Sequence, residues 1–262
     1  MLYFHSWSGG KDSTASVILD HIHGLPPSKI VLSEVMFDRK RGISGELPEH
    51  IDFVMNRAKP LFEEWGYTVE IVRANKDYLD LFFHVIQRSK QPDRIGKLVG
   101  FVLGGMCAAN RELKIKPIND FYKRLDLAGS EYTQYIGIAI DEPERLDRLR
   151  GTNRVSLLER YGITEQGAFA ICKEHDLLSP IYGFSKRGGC WFCPNQSYAE
   201  FARLKIEYPE LWEELRELSK TENLTSDRFK YSQTFADVER RVDMEIANRE
   251  FEAQQQTLFD FL

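Results

Sequence analysis

The sequence predicts an α/β fold, a doubly wound and mainly parallel sheet with a helical, cysteine-containing C-terminal region. Three observations lead there. Apolar, β-rich runs alternate with helix-periodic stretches over residues 2 to about 130. A Gly-Gly turn, Ser8-Gly9-Gly10-Lys11-Asp12-Ser13, directly follows the first apolar run. From about Leu157 the pattern turns helical and charged and carries a Cys-x-x-Cys knuckle.

Leu2 to Ser6 reads as the first strand, and Ser13 to His23 as a helix with Val17, Ile18 and Ile22 toward a core. Gly24-Leu25-Pro26-Pro27 stops that helix. Lys29 to Phe37 is a second strand. Pro48 to Trp65 is helical, with Ile51, Val54, Ala58, Leu61 and Phe62 at three-to-four spacing. Tyr67 to Val72 and Tyr135 to Ile140 are further strands, the latter ending at Asp141-Glu142-Pro143. This order implies a parallel sheet covered on both faces, with ligands at the carboxyl ends of strands. Thr164 to Leu178 and Tyr198 to Leu218 are helices flanking a Gly-rich knuckle, and the last forty residues show no strand signal. Two regions are expected: an α/β domain over 1–155 and a helical region with tail over 156–262.

The loop at Ser8 to Ser13 has the chemistry of a phosphate site. Two glycines let the backbone turn tightly and approach a ligand. Free N–H groups and the positive end of the next helix converge on one point. Lys11 adds a full charge, and Ser8 and Ser13 add hydroxyl donors. A Walker A loop would need glycine where His5 stands, and the G-x-G-x-x-G dinucleotide fingerprint is absent. The 1–155 region is therefore expected to bind a nucleotide.

Composition sets the class. At 262 residues, 42% hydrophobic and 29% charged, the chain has ordinary globular composition. No apolar run approaches a membrane span, and Lys11 and Asp12 interrupt any signal-peptide core, so a cytoplasmic location and no membrane partner are expected. A net charge of −5 argues against coating of nucleic acid, while leaving room for a local basic groove.

Four cysteines in a reducing compartment suit ligands, reactive thiols or core residues better than disulfides. Cys190-Trp191-Phe192-Cys193, preceded by Gly188-Gly189 and followed by Pro194, has the form of a metal knuckle. With Cys107 and Cys172 it would complete a zinc site or a 4Fe–4S cluster. A redox Cys-x-x-Cys would need a thioredoxin-like context that is not present. Cys172 shares the Ala168, Phe169 and Ile171 side of its helix, so a core role fits it equally.

The hexapeptide S-G-G-K-D-S between strand and helix resembles the signature of the PP-loop ATP pyrophosphatase superfamily, and more narrowly its phosphoadenosine-phosphosulfate (PAPS) reductase-like branch. Similar segments run over roughly residues 2 to 195: Phe37 to Val54 with Glu46-Leu47-Pro48-Glu49, Cys107 to Pro117 with Lys114 and Lys116, Gly137 to Glu142 followed by Arg145, Arg148, Arg150 and Arg154, and Tyr182 to Pro194 with Lys186 and Arg187. The resemblance implies an adenine nucleotide alpha hydrolase-like fold that binds ATP or PAPS with Mg²⁺. It assigns nucleotide contacts to Ser8, Gly9, Gly10, Lys11, Asp12, Ser13, Thr14, Phe37, Arg148 and Arg187, with Lys11, Asp12 and Ser13 catalytic. Cys107, Cys172, Cys190 and Cys193 would hold iron–sulfur or zinc. The PP-loop subunit of DNA phosphorothioation systems is also similar in where its cysteines fall.

Sulfonucleotide reductases of that family attack with a cysteine near the C-terminus, and none follows Cys193 here. The expected reaction is therefore cleavage of ATP to AMP and pyrophosphate, adenylating an acceptor in sulfur transfer or nucleic-acid modification, with PAPS reduction as the alternative. An anionic acceptor, nucleotide or nucleic acid, would meet Arg148, Arg150, Arg154, Lys186 and Arg187. A second class of reading is a DNA-associated accessory protein: Gln255-Gln256-Thr257-Leu258-Phe259 resembles the peptide that binds the bacterial sliding clamp, although a tail docked on its own domain is the simpler use of those residues.

Overall fold

Strand β1 (Leu2–Trp7) points its side chains alternately to two covered faces, and that alternation organises the first half of the molecule. The computed structural model describes residues 1–103, 107–125, 131–186 and 188–260, the last nine of these as backbone only. Packing divides the chain into two compact units, Met1–Asp77 with Asn110–Gly189, and Tyr78–Ala109 with Cys190–Leu262.

After β1 come α1 (Lys11–His23), β2 (Ser28–Glu34), a small hairpin of β3 (Met36–Asp38) and β4 (Ile43–Ser44), α2 (Pro48–Asp52), a π-helical stretch (Phe53–Ala58), α3 (Lys59–Glu64) and β5 (Thr68–Arg73). Helix α4 (Tyr78–Phe82) opens the second unit. The first unit resumes with a π-helical stretch (Asn110–Ile115), α5 (Lys116–Arg124), β6 (Tyr132–Ile136), α6 (Pro143–Asp147), β7 (Arg154–Val155), α7 (Leu157–Arg160) and α8 (Glu165–Glu174).

Five parallel strands form one sheet in the order β5-β2-β1-β6-β7. The doubly wound α/β class read from the sequence is the class observed. Tyr3 and Trp7 of β1, Ile30 and Leu32 of β2 and Val69 of β5 pack with α1, α7 and α8 on one face. Phe4, Val31 and Val72 pack with Phe121 and Tyr122 of α5 on the other. Buried within the first face, His5 Nε2 lies 2.7 Å from Asp20 Oδ2, and Ser28 Oγ donates to the same oxygen at 2.6 Å. Among the described residues no helix is long and apolar enough to cross a membrane.

Several expectations need correction. The 155/156 boundary falls inside the first unit, because Leu157, Leu158, Ala168 and Leu177 share one core with Val17 and Ile18 of α1. The strand expected at 135–140 ends at Ile136: Ile138 N–H turns back to the Ile136 carbonyl at 3.0 Å, and Ile140 N–H bonds Ile163 instead of a ladder partner. Lys29 to Phe37 is two strands, β2 and β3, separated at Val35.

The second unit contains α9 (Tyr198–Glu207), α10 (Pro209–Ser219), the hairpin β8 (Arg228–Lys230) and β9 (Gln233–Thr234), and α11 (Phe235–Asp260). Its core is aromatic: Phe82, Phe101, Phe201, Trp212, Phe229 and Phe235 are all buried. The single helix expected over 198–218 is two, since Pro209 can start a helix but cannot continue one. The last forty residues do contain strands, the short pair that seats Phe229 in this core.

Candidate functional site

In this sheet the strand order reverses between β1 and β6, and the Ser8–Ser13 loop leaves the carboxyl end of β1 at that crevice. Gly9 has φ +72°, a left-handed conformation suited to glycine. A Cβ there would also lie 2.6 Å from Val54 Cγ2 and 2.7 Å from His50 Cε1. Gly10 caps α1 in extended conformation. Thr14 N–H makes the first helical bond, to the Gly10 carbonyl, at 3.0 Å.

The serines fold the loop on itself: Ser8 N–H donates to Ser13 Oγ at 3.2 Å, Ser13 Oγ–H to the Gly10 carbonyl at 3.0 Å, and the two hydroxyl oxygens lie 3.1 Å apart. His50 on α2 fixes the loop from behind. Its Nε2–H donates to the Ser8 carbonyl at 3.1 Å, which leaves Nδ1 to accept from Ser179 Oγ at 2.8 Å. Gly137, just past β6, closes the other side. A Cβ there would stand 2.4 Å from Ser13 N, so only glycine lets the two chain segments approach this closely.

Ser8, Gly10, Lys11, Asp12 and Ser13 line a cleft of about 420 Å³, within the range of small-molecule sites. Glu46, His50, Lys114, Gly137, Glu142, Arg145, Glu165, Tyr182, Lys186, Gly188 and Gly189 complete the wall. Lys11 Nζ lies 2.7 Å from Asp12 Oδ1 and 3.3 Å from Glu165 Oε1. Burial works against the Lys11 ammonium, but these two carboxylates outweigh it and its pKa is raised. Burial likewise raises the Asp12 pKa; Lys11 offsets this only in part, because Glu165 and Glu142 are also near. The loop end of the cleft thus pairs one lysine with more than one carboxylate, while Lys114 and Lys186 bring positive charge to the same cleft and Arg145 pairs with Glu142.

Of the residues expected from sequence, Ser8, Gly10 to Ser13, Lys114, Arg145 and Lys186 converge on this cleft, while Gly9 is buried behind it against His50 and Val54. Thr14 is fully buried and accepts from Trp7 Nε1 at 3.0 Å, which makes it a support of the loop. Phe37 is fully buried on β3 and is not part of the cleft wall. Arg148 is exposed outside the cleft; Arg150 pairs with Glu159, and Arg154 donates to Gln134 Oε1. Arg187 lies outside the described residues, as do the side chains of the Gln255–Phe259 tail segment, whose backbone continues α11.

The cysteines separate. Cys172 is fully buried in the first unit, where its thiol donates to the Lys11 carbonyl at 3.1 Å and burial pushes its pKa up to about 12. That placement suits the core role, one of the two readings its helix face left open. Cys107, Cys190 and Cys193 belong to the second unit, and all three act electrostatically on the buried Tyr78 hydroxyl. Among the described residues, no group of three or more His, Cys, Asp and Glu side chains is placed to hold a metal ion.

His50, Ser179, Glu165 and Tyr182 were not singled out from sequence. His50 did leave a sign: it stands four residues before Val54, a polar side chain on the apolar stripe of its helix. Ser179 and Tyr182 left none, being 129 and 171 residues from their partners in the chain.

Among solved structures, the chain is similar to a crystal structure of phosphoadenylyl-sulfate (PAPS) reductase from Candida auris in a phosphate complex. The two are 12% identical over 73% of this chain and 82% of that one, with a TM-score of 0.43. No family profile and no curated protein matches the chain.

Proposed function

We propose that this protein is an adenine-nucleotide enzyme of PP-loop type, cleaving ATP between its α and β phosphates to adenylate an acceptor. The observation that carries this is the loop itself. Among the described residues, the N–H groups of Asp12 and Ser13 have no protein acceptor, and both residues line the cleft at the positive end of a thirteen-residue helix. An acceptor oxygen attacks the α-phosphorus, the bond to the bridging oxygen breaks, and pyrophosphate departs with the electron pair. A second nucleophile then attacks the adenylated acceptor and AMP leaves with the acceptor oxygen. The loop amides, Ser8, Ser13 and Lys11 stabilise the charge that develops on it.

Lys114 and Lys186, with Arg145 paired to Glu142, are the cations of the cleft that would meet an anionic acceptor such as a nucleotide or nucleic-acid end. The Mg²⁺ that accompanies ATP would be held mainly by phosphate oxygens and water, with Asp12 the nearest loop carboxylate. The test is release of AMP and pyrophosphate from ATP by the wild type and by Lys11→Ala, with PAPS as a parallel substrate. Equal background in both proteins overturns the proposal, and turnover of PAPS alone favours the reductase reading.

A further inference from the structure

Tyr182 enters the loop from the far end of the first unit. Its hydroxyl oxygen accepts the Lys11 N–H at 2.8 Å, the first amide of α1, and would lie 3.2 Å from a Cβ on Gly10. The ring is held edge-on to Phe169, centroids 6.4 Å apart, so the hydroxyl has little freedom to leave. A phenol that accepts with its oxygen still has one proton to give. No described residue accepts it, and Tyr182 is part of the cleft wall.

Two roles are compatible with an oxygen at that position. The hydroxyl could occupy the place of a phosphate oxygen and be expelled on binding. Alternatively it stays on Lys11 N–H and points its proton at the phosphate. The packed ring and the open donor side favour staying. Resting on the nucleotide reading above, we propose that Tyr182 is a binding residue of the phosphate cradle, its O–H donating to the anionic oxygens of the pyrophosphate group while its oxygen orders the Lys11 amide. Burial raises its pKa, so the proton is present at neutral pH. Preceding a phosphate with a neutral donor also suits this end of the cleft, where Lys11 is already shared between two carboxylates.

Inorganic pyrophosphate and ATP are the probes, titrated by calorimetry into wild type and Tyr182→Phe, with thermal unfolding followed in parallel. Loss of one hydrogen bond to a charged group should weaken pyrophosphate about tenfold or more with the unfolding temperature little changed. Unaltered affinity in Tyr182→Phe overturns the role, and tighter binding overturns it in favour of a hydroxyl that competes with phosphate. Should Tyr182→Phe not fold, a fluorotyrosine at position 182 keeps the shape and lowers the phenol pKa; the pH at which pyrophosphate binding declines should then fall, and an unmoved profile counts against the donor. Failure of the wild type to bind either probe strikes the nucleotide reading itself.

Discussion

His50 holds the main-chain oxygen of Ser8 through Nε2 while Ser179, 129 residues beyond His50, holds its Nδ1, so one buried imidazole anchors the glycine turn to a distant segment. The loop is thus shaped before any ligand arrives, which spares ordering entropy on binding.

His50→Ala is expected to leave the Ser8 carbonyl and the Ser179 hydroxyl without that partner, at about 1–3 kcal/mol each when buried. Chemical denaturation should show the loss. Nucleotide affinity, measured by calorimetry, should fall by more than the change in folded fraction accounts for, and His50→Gln should recover part of it. Unchanged affinity in a folded His50→Ala protein would show that the anchor does not govern the loop.

Gly137→Ala places a methyl group 2.4 Å from Ser13 N, against backbone that cannot rotate away. Overpacking of this kind costs about 1–3 kcal/mol or more. Gly183→Ala, with nothing within 4 Å of its Cβ, is the control and should be near neutral. Equal melting temperatures for the two variants would contradict the close approach of the β6 end to α1.

Cys172 should resist thiol reagents in the folded protein, because burial keeps it protonated and covered. Cys107 is exposed and should react first. Mass spectrometry after brief labelling checks the order, and early modification of Cys172 would refute its core placement.

His5 is buried against Asp20, and burial lowers its pKa below 6.5 despite that carboxylate. Its unfolded form therefore binds a proton first as pH falls. Stability from this group is full above pH ~6.5 and declines below it, toward a limiting slope of about 1.4 kcal/mol per pH unit. Denaturant titrations between pH 8 and 5 should show this decline in wild type and less of it in His5→Gln. A flat profile in wild type would mean that His5 is charged in the fold.

Local patterns made much of the first unit readable. The short apolar, β-rich runs of β1 and β2 and the helical spacing of Ile51, Val54 and Ala58 depend on neighbours only a few residues away. Ser8 to Ser13 was readable for the same reason, since a glycine turn between strand and helix supplies most of its own chemistry. Cys172 stayed open between two roles because spacing cannot tell a ligand thiol from a core thiol when both lie on an apolar face. That Arg148, Arg150 and Arg154 lie outside the cleft was not readable, because a charge run shows sign but not direction.

By itself, then, the sequence determined the α/β class, the position of the Ser8–Ser13 loop at the end of the first strand, and which residue types that loop presents. Only the tertiary structure decided what surrounds it: His50 behind Ser8, Gly137 against Ser13, Tyr182 on the Lys11 amide, and Glu165 beside Lys11. The reason is physical. A turn is specified by torsion preferences and hydrogen bonds within a few residues, whereas these four contacts arise when distant segments are packed by burial of apolar surface, a force without sequence direction.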